Sequence, residues 1–331
     1  MTNRLSTDMA LHFGREICGE LPSASTREWL VTNGMGGYAA GTISGLLTRR
    51  YQGLLIAALK PPLERTLLLT KLDETLVYGG RDYPLSTNSW TSGTLHPQGY
   101  KQIEHFRLEG SIPCWTYACA DARLEKRIWM QSGANTTYIR YTLQRSSLPI
   151  TLSMEALVNY RDHHGETQGD TWTMQIIPQL QGIRVEAFPG ATPFYIWADR
   201  GEVTVHHDWY KDFELSKERF RGLTDREDHL HAATLRGVLQ PGETFTVIAT
   251  TEGHPNLDGE QALFERRADE QALLNHWQAK GLGTASDSPP WIQRLVWAAD
   301  QFIVNRPLAE DPEGKTVIAG YPWFGDWGGI R

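Results

Sequence analysis

Residues 319–331 place Tyr321, Trp323, Phe324 and Trp327 beside Asp326, with glycines between them. A pyranose needs this mixture. Indole and phenol rings offer flat apolar faces to its C–H side, while a carboxylate accepts hydrogen bonds from its hydroxyls. Tyr321, Trp323, Asp326 and Trp327 are therefore candidate sugar contacts. For Trp327, stacking on a ring and plain packing stand equally open. For Asp326, capping a following helix is favoured over a sugar bond, because Asp is a preferred N-cap. Arg49 and Arg50, in Thr48-Arg-Arg-Tyr51, are candidates to reach an interface or the substrate. A surface ion pair is the expected role for at least one of the two.

Other titratable residues invite chemistry and give weaker signals. His163-His164, His206-His207 and His229-x-His231 raise a metal reading, and His229 and His231 would share a face of a strand. No further ligand stands at a telling spacing, so structural roles are expected, with no metal and no cofactor. Asp162 is a candidate loop contact. Glu155, Asp208, Asp212 and Glu214 form a catalytic pair only if folding assembles them. Gly34-x-Gly36-Gly37 lacks the spacing of a dinucleotide loop, and no Gly-Lys-Ser/Thr follows, so tight turns are expected.

With 331 residues, a formal charge of -7 and 21% charged residues, the chain has the composition of a globular protein. That balance does not point to nucleic acid. No apolar run reaches the length of a membrane helix or a signal peptide, and three cysteines are too few for a disulfide framework. A cytoplasmic protein is the expectation.

The positioning elements read as β over most of the chain. Residues 1–27 look like a loose lead-in. In Tyr138–Leu143 the residues Ile139, Tyr141 and Leu143 alternate onto one face, and similar runs lie at 183–188, 194–197, 202–205 and 244–250. Gly79-Gly80, Arg200-Gly201 and Pro241-Gly242 punctuate them. Many short strands without helical periods between them predict a large antiparallel sandwich over residues 28–255. Asp258-Gly-Glu-Gln261 then resembles a capping box that opens a helix carrying Phe264, Ala268, Ala272, Leu273 and Trp277. A Gly/Ser/Pro linker completes a connecting segment over 256–288. Pro289 and Pro290 start a second helix with Trp291, Leu295, Ala299 and Phe302 in one stripe, ended by Pro307.

Three stretches carry a resemblance to prokaryotic glycogen debranching enzymes of the amylo-α-1,6-glucosidase type. They are 28–59 with Thr48-Arg-Arg-Tyr-Gln-Gly-Leu-Leu55, Tyr160-Arg-Asp-His-His-Gly165, and 298–304 leading into Gly314–Gly328. The resemblance implies an N-terminal super-sandwich followed, over 289–331, by the start of an (α/α)6 barrel. An α-glucan such as glycogen or limit dextrin is the implied partner. Members of the family continue Asp-Trp-Gly with Arg-Asp-Thr, whereas here Gly329-Ile330-Arg331 follow. The catalytic carboxylates of the family lie further downstream. The expectation is thus a truncated barrel, no catalytic residue, and a chain inactive alone. Trp291, Leu295, Phe302, Trp323 and Phe324 are then expected to be unusually exposed. A free-standing glycan-binding module, or a partner that docks onto a separately encoded barrel chain, is the alternative.

Overall fold

The structure is a computed structural model that describes residues 11–169, 171–280 and 290–323. Two antiparallel sheets face each other across one large apolar core. The nine-stranded sheet runs, edge to edge, through Leu11–Phe13, Ile103–Glu109, Ile112–Cys119, Ala122–Met130 and Thr136–Arg145. It continues with Thr244–Thr250, Phe194–Ala198, Gly182–Glu186 and Gln175–Gln179. The eight-stranded sheet runs through Glu202–Glu214, Arg226–Leu239, Ile150–Asp162, Leu63–Tyr78, Gly53–Lys60, Tyr38–Thr42 and Glu28–Thr32, with Arg81–Pro84 paired to Leu63–Tyr78. The mainly-β sandwich expected from the two-residue period is the observed fold. Ile139, Tyr141 and Leu143 join the inter-sheet core, while Tyr138 faces out and stacks on Trp129 at 5.3 Å. This is the pleat at work.

Residues 11–27 are more than a lead-in. Leu11–Phe13 adds an edge strand, and short helices α1 (Arg15–Cys18) and α2 (Leu21–Ser25) bury Cys18 and Ala24. The glycine run at 34–37 is a turn. Gly34 and Gly36 take φ of +73° and +94°, and Asn33 Oδ1 accepts the amides of Met35 and Gly37. Helix α3 (Ser216–Phe220) follows the strand Glu202–Glu214.

Helix α4 (Gly259–Ala279) lies on the outer face of the nine-stranded sheet, where Ala262 and Leu263 pack with Ile112, Trp129, Tyr138 and Ile248. Asp258 caps it, accepting the amides of Glu260 and Gln261 at 3.0 Å. Only half of the expected capping box forms, because the Asp258 amide donates to Asn256 Oδ1 and the Gln261 side chain donates to Glu265. Asp258→Ala should lower stability by about 0.5–2 kcal/mol, measured by urea unfolding.

The expected apolar stripe of α4 is offset. Phe264, Ala268 and Ala272 are exposed, and the buried face carries Ala262, Leu263, Glu270 and Leu274. Glu270 Oε1 accepts the Ser111 amide at 3.1 Å, and Arg266 donates to Ser111 Oγ at 2.7 Å. A face held by an acid and a base leaves no hydrophobic period to read.

Helix α5 (Pro290–Asp300) packs on α4, with Trp297 Nε1 donating to the Glu270 carbonyl at 3.2 Å. It ends at Asp300, well ahead of Pro307, because the β-branched pair Ile303-Val304 enters a hairpin, Ile303–Asn305 against Lys315–Val317. Trp291 and Leu295 are 58% and 57% exposed, as expected, whereas Phe302 is half-buried against Tyr321. Phe324 lies outside the described residues.

The hairpin brings the chain around the edge strand Glu28–Thr32. Gln301 Nε2 donates to the Leu30 carbonyl and the Asn305 amide to the Gly34 carbonyl, each at 2.9 Å. Val304, Ile318 and Tyr321 then bury against Tyr38, Ile56 and Leu67 on the outer face of the eight-stranded sheet. Edge protection and delivery of residues 321–323 are thus one structural event.

Candidate functional site

The turn 48–52 is the hub. Gln52 Oε1 accepts the amides of Thr48 at 2.7 Å and Arg49 at 3.2 Å, which folds the turn and sends Arg49 and Arg50 in different directions. Arg49 Nε reaches Glu28 at 2.6 Å. Arg50 turns inward, donating to the His164 carbonyl at 2.7 Å, Glu166 at 2.8 Å and the Thr224 carbonyl at 3.1 Å, with Glu218 at 3.5 Å. This corrects its expected role. Arg50 is buried and ties three chain segments together, so its guanidinium is not presented to a ligand.

Tyr321 is corrected in the same way. Its ring is buried against Tyr38 at 4.8 Å and Phe302 at 5.8 Å, and its hydroxyl donates to the Gln301 carbonyl at 2.7 Å. Arg65 lies over the remaining face at 5.2 Å. Burial drives its phenol pKa upward, so it stays a neutral packing residue.

Trp323 behaves differently. It is 36% exposed and adopts φ of +71°, a left-handed backbone that a bulky residue rarely takes. Arg49 and Arg221 place their guanidinium carbons 4.6 and 4.5 Å from its ring centroids, and Tyr51 meets it edge-on at 6.1 Å. The structure thus brings together Arg49 and Trp323 of the expected set. Asp326 and Trp327 lie outside the described residues.

Histidines complete the wall. The Asp162 side chain accepts the His164 amide at 2.8 Å, a turn-forming bond. His164 is exposed, and its Nδ1 stands 3.1 Å from the Tyr51 hydroxyl. Burial raises the Tyr51 pKa, which keeps that hydroxyl protonated. His163 lies behind, buried, with neither ring nitrogen hydrogen-bonded; Asp162 Oδ1 is 3.7 Å from Nδ1. Burial, then the neighbouring His164, lowers its pKa to about 3.

Three carboxylates surround the turn, and a guanidinium engages each of them. Arg49 holds Glu28, Arg50 holds Glu166, and Arg50 and Arg221 flank the fully buried Glu218. Their arrangement suits the binding of hydroxyls and the fixing of loops more than proton donation. Of the other acids weighed from sequence, Glu155 accepts from Tyr210, Asp212 pairs with Arg226, and Glu214 pairs with Arg219. Each of these three is thus engaged by a side chain of the fold. Arg221 was not foreseen. It follows α3, far along the chain from Trp323, and nothing local marks it.

A family model described as glycogen debranching enzyme N terminal matches residues 27–246. The chain belongs to that family. The wall residues from Glu28 to Arg221 fall inside the matched region, and Trp323 lies beyond it. A comparison with curated proteins returns no match. Among solved structures, a bacterial glucoamylase complexed with acarbose is similar at 9% identity and a TM-score of 0.39, over 84% of this chain. This debranching-family chain spans 41% of the length of that glucoamylase. A putative aldose 1-epimerase from Escherichia coli K12 is similar at 12% identity and a TM-score of 0.33, over 67% of this chain and 98% of the other. Among the described residues, no helix of this family member is long and apolar enough to cross a membrane.

Proposed function

We propose that this chain is the α-glucan-facing N-terminal portion of a debranching enzyme that acts on 1,6-branches, and that Trp323 stacks on a glucose ring. The observation that carries this is an indole held partly exposed, on a strained backbone, at the point where four segments meet. Strain of this kind costs about 1–3 kcal/mol and persists where surrounding contacts impose it. The Gln301 and Asn305 bonds and the Tyr321 packing impose it here.

The guanidiniums over the indole do not block a sugar. An exposed cation–π contact is worth about 0.5–1 kcal/mol. Arg221 is exposed and can swing from the ring to a sugar hydroxyl, while Arg49 stays anchored on Glu28. His164, fixed through Nδ1, offers Nε2 to a second hydroxyl. The exposed Phe220, next to Arg221, supplies a further apolar face. Glycoside hydrolysis needs two carboxyl groups flanking the scissile bond, and Glu28, Glu166 and Glu218 of this wall are each held by a guanidinium. Its role in this reading is therefore binding and orientation.

Calorimetric titration with maltoheptaose tests the reading. Trp323→Ala should weaken binding about tenfold or more, and Phe264→Ala, on helix α4 against the other sheet, should leave it unchanged. Equal affinity of wild type and Trp323→Ala would refute the assignment.

A further inference from the structure

Strand Glu202–Glu214 is an edge of the eight-stranded sheet, and its pairing with Arg226–Leu239 slips by a bulge between Val205 and Asp208. One extra residue on the edge strand re-aims the side chains around it. Asp208 comes to stand directly opposite His231, with His206 beside both. One ligand atom from each of His206, Asp208 and His231 lies within 4.8 Å of the others. The two imidazoles stack at 4.3 Å with their planes 19° apart, and His206 Nδ1 is 3.9 Å from Asp208 Oδ2. We propose that His206, Asp208 and His231 form a binding site for a divalent transition-metal ion of the zinc class.

The local chemistry favours such an ion. Two nitrogens and one carboxylate suit Zn2+, Co2+ or Ni2+ over Mg2+ and Ca2+, which prefer oxygen donors. Metal–ligand bonds of about 2.0–2.1 Å put neighbouring donors on one tetrahedral ion roughly 3.4 Å apart. Closing from the observed spacing takes only small side-chain rotations. His206 and Asp208 are 33% and 70% exposed at their side chains and can make them.

His231 is the fixed member. It is buried, its Nε2 lies 3.0 Å from Thr234 Oγ1, and the Tyr210 ring packs against it at 5.5 Å. Tyr210 is itself held by a hydrogen bond to Glu155 at 3.0 Å. With three protein ligands, water fills the remaining position. His229, two residues earlier on the same strand, is fully buried and is not one of the three. Its Nδ1 lies 3.2 Å from both Thr70 and Asn159.

Titration of the full chain with ZnCl2 by calorimetry, and with CoCl2 by visible absorption, tests the site. One ion per chain is expected, with the d–d bands of a low-coordinate Co2+, and a rise in Tm as Zn2+ saturates the protein. His206→Ala and His231→Gln should each weaken Zn2+ by about tenfold or more. Asp208→Asn should weaken it less. His207→Ala, whose imidazole is held 3.1 Å from the Met174 carbonyl, should leave it unchanged. His206→Ala carries the test if His231→Gln fails to fold, with circular dichroism as the check. Unchanged affinity in His206→Ala, or no binding below about 1 mM, overturns the proposal.

Discussion

Replacing Arg161 with alanine is expected to lower the unfolding free energy by about 3–5 kcal/mol. Arg161 lies on the outer face of the eight-stranded sheet and meets Glu227 through two nitrogens, one at 2.9 Å. It also donates to the Arg50 carbonyl at 2.7 Å and the Asp162 carbonyl at 3.1 Å. Glu227 is 1% exposed. Removing the guanidinium strands a buried carboxylate and takes a donor from the buried Arg50 carbonyl of the hub turn and from the part-buried Asp162 carbonyl. The pair itself adds little net stability over a well-packed apolar pair. The double variant Arg161→Met, Glu227→Met should therefore lose clearly less than Arg161→Ala alone. Urea unfolding of the three proteins measures this. A cost below about 1 kcal/mol for Arg161→Ala, the level of an exposed pair, would show that Glu227 reaches water.

Stability should also fall steeply on mild acidification. Burial holds both His163 and His229 at pKa values of about 3 in the folded chain. An unfolded histidine takes a proton at about pH 6.5. Between those values the unfolded chain binds more protons than the folded one, so stability rises with pH through the window. It is fully present above about pH 6.5 and is lost progressively below. Each of the two histidines contributes a loss of about 2 kcal/mol between pH 7 and 5. His105 and His231, lowered first by burial as well, act with the same sign. The window lies above most carboxylate titration, which isolates the imidazoles. Unfolding midpoints of wild type, His163→Gln and His229→Gln across this range provide the measurement. A flatter pH slope in each variant is the expected result, and a slope unchanged in both would contradict the assignment.

How far the sequence discloses this molecule depends on which interactions hold each part. The sandwich was legible because one face of each strand is buried in a common core, which writes a two-residue period such as Ile139, Tyr141, Leu143. The seat of α4 was not, since Glu270 and Arg266 make its contact with Ser111. Helix α5 read too long because Ile303-Val304 suits either state until Lys315–Val317 pairs with it.

Of the wall, Arg49 and Trp323 were visible as residue types. Their mutual contact was not. Tyr51, His164 and Arg221 come from separate loops and converge only through the buried ties of Arg50 and Glu218. Tyr321 looked like a ligand contact for the reason that made it a good packing residue, a large amphipathic ring with one hydrogen bond to satisfy. The bulge that gathers His206, Asp208 and His231 has no sequence signature at all.

The most direct test is a crystal structure of the chain soaked with maltotriose. A glucose ring lying against the Trp323 indole, with Arg221 displaced from the ring and hydroxyls within hydrogen-bond reach of Arg221 and His164, is the predicted result. Sugar bound elsewhere on the sandwich, with Arg221 and Arg49 still over the indole, would contradict it.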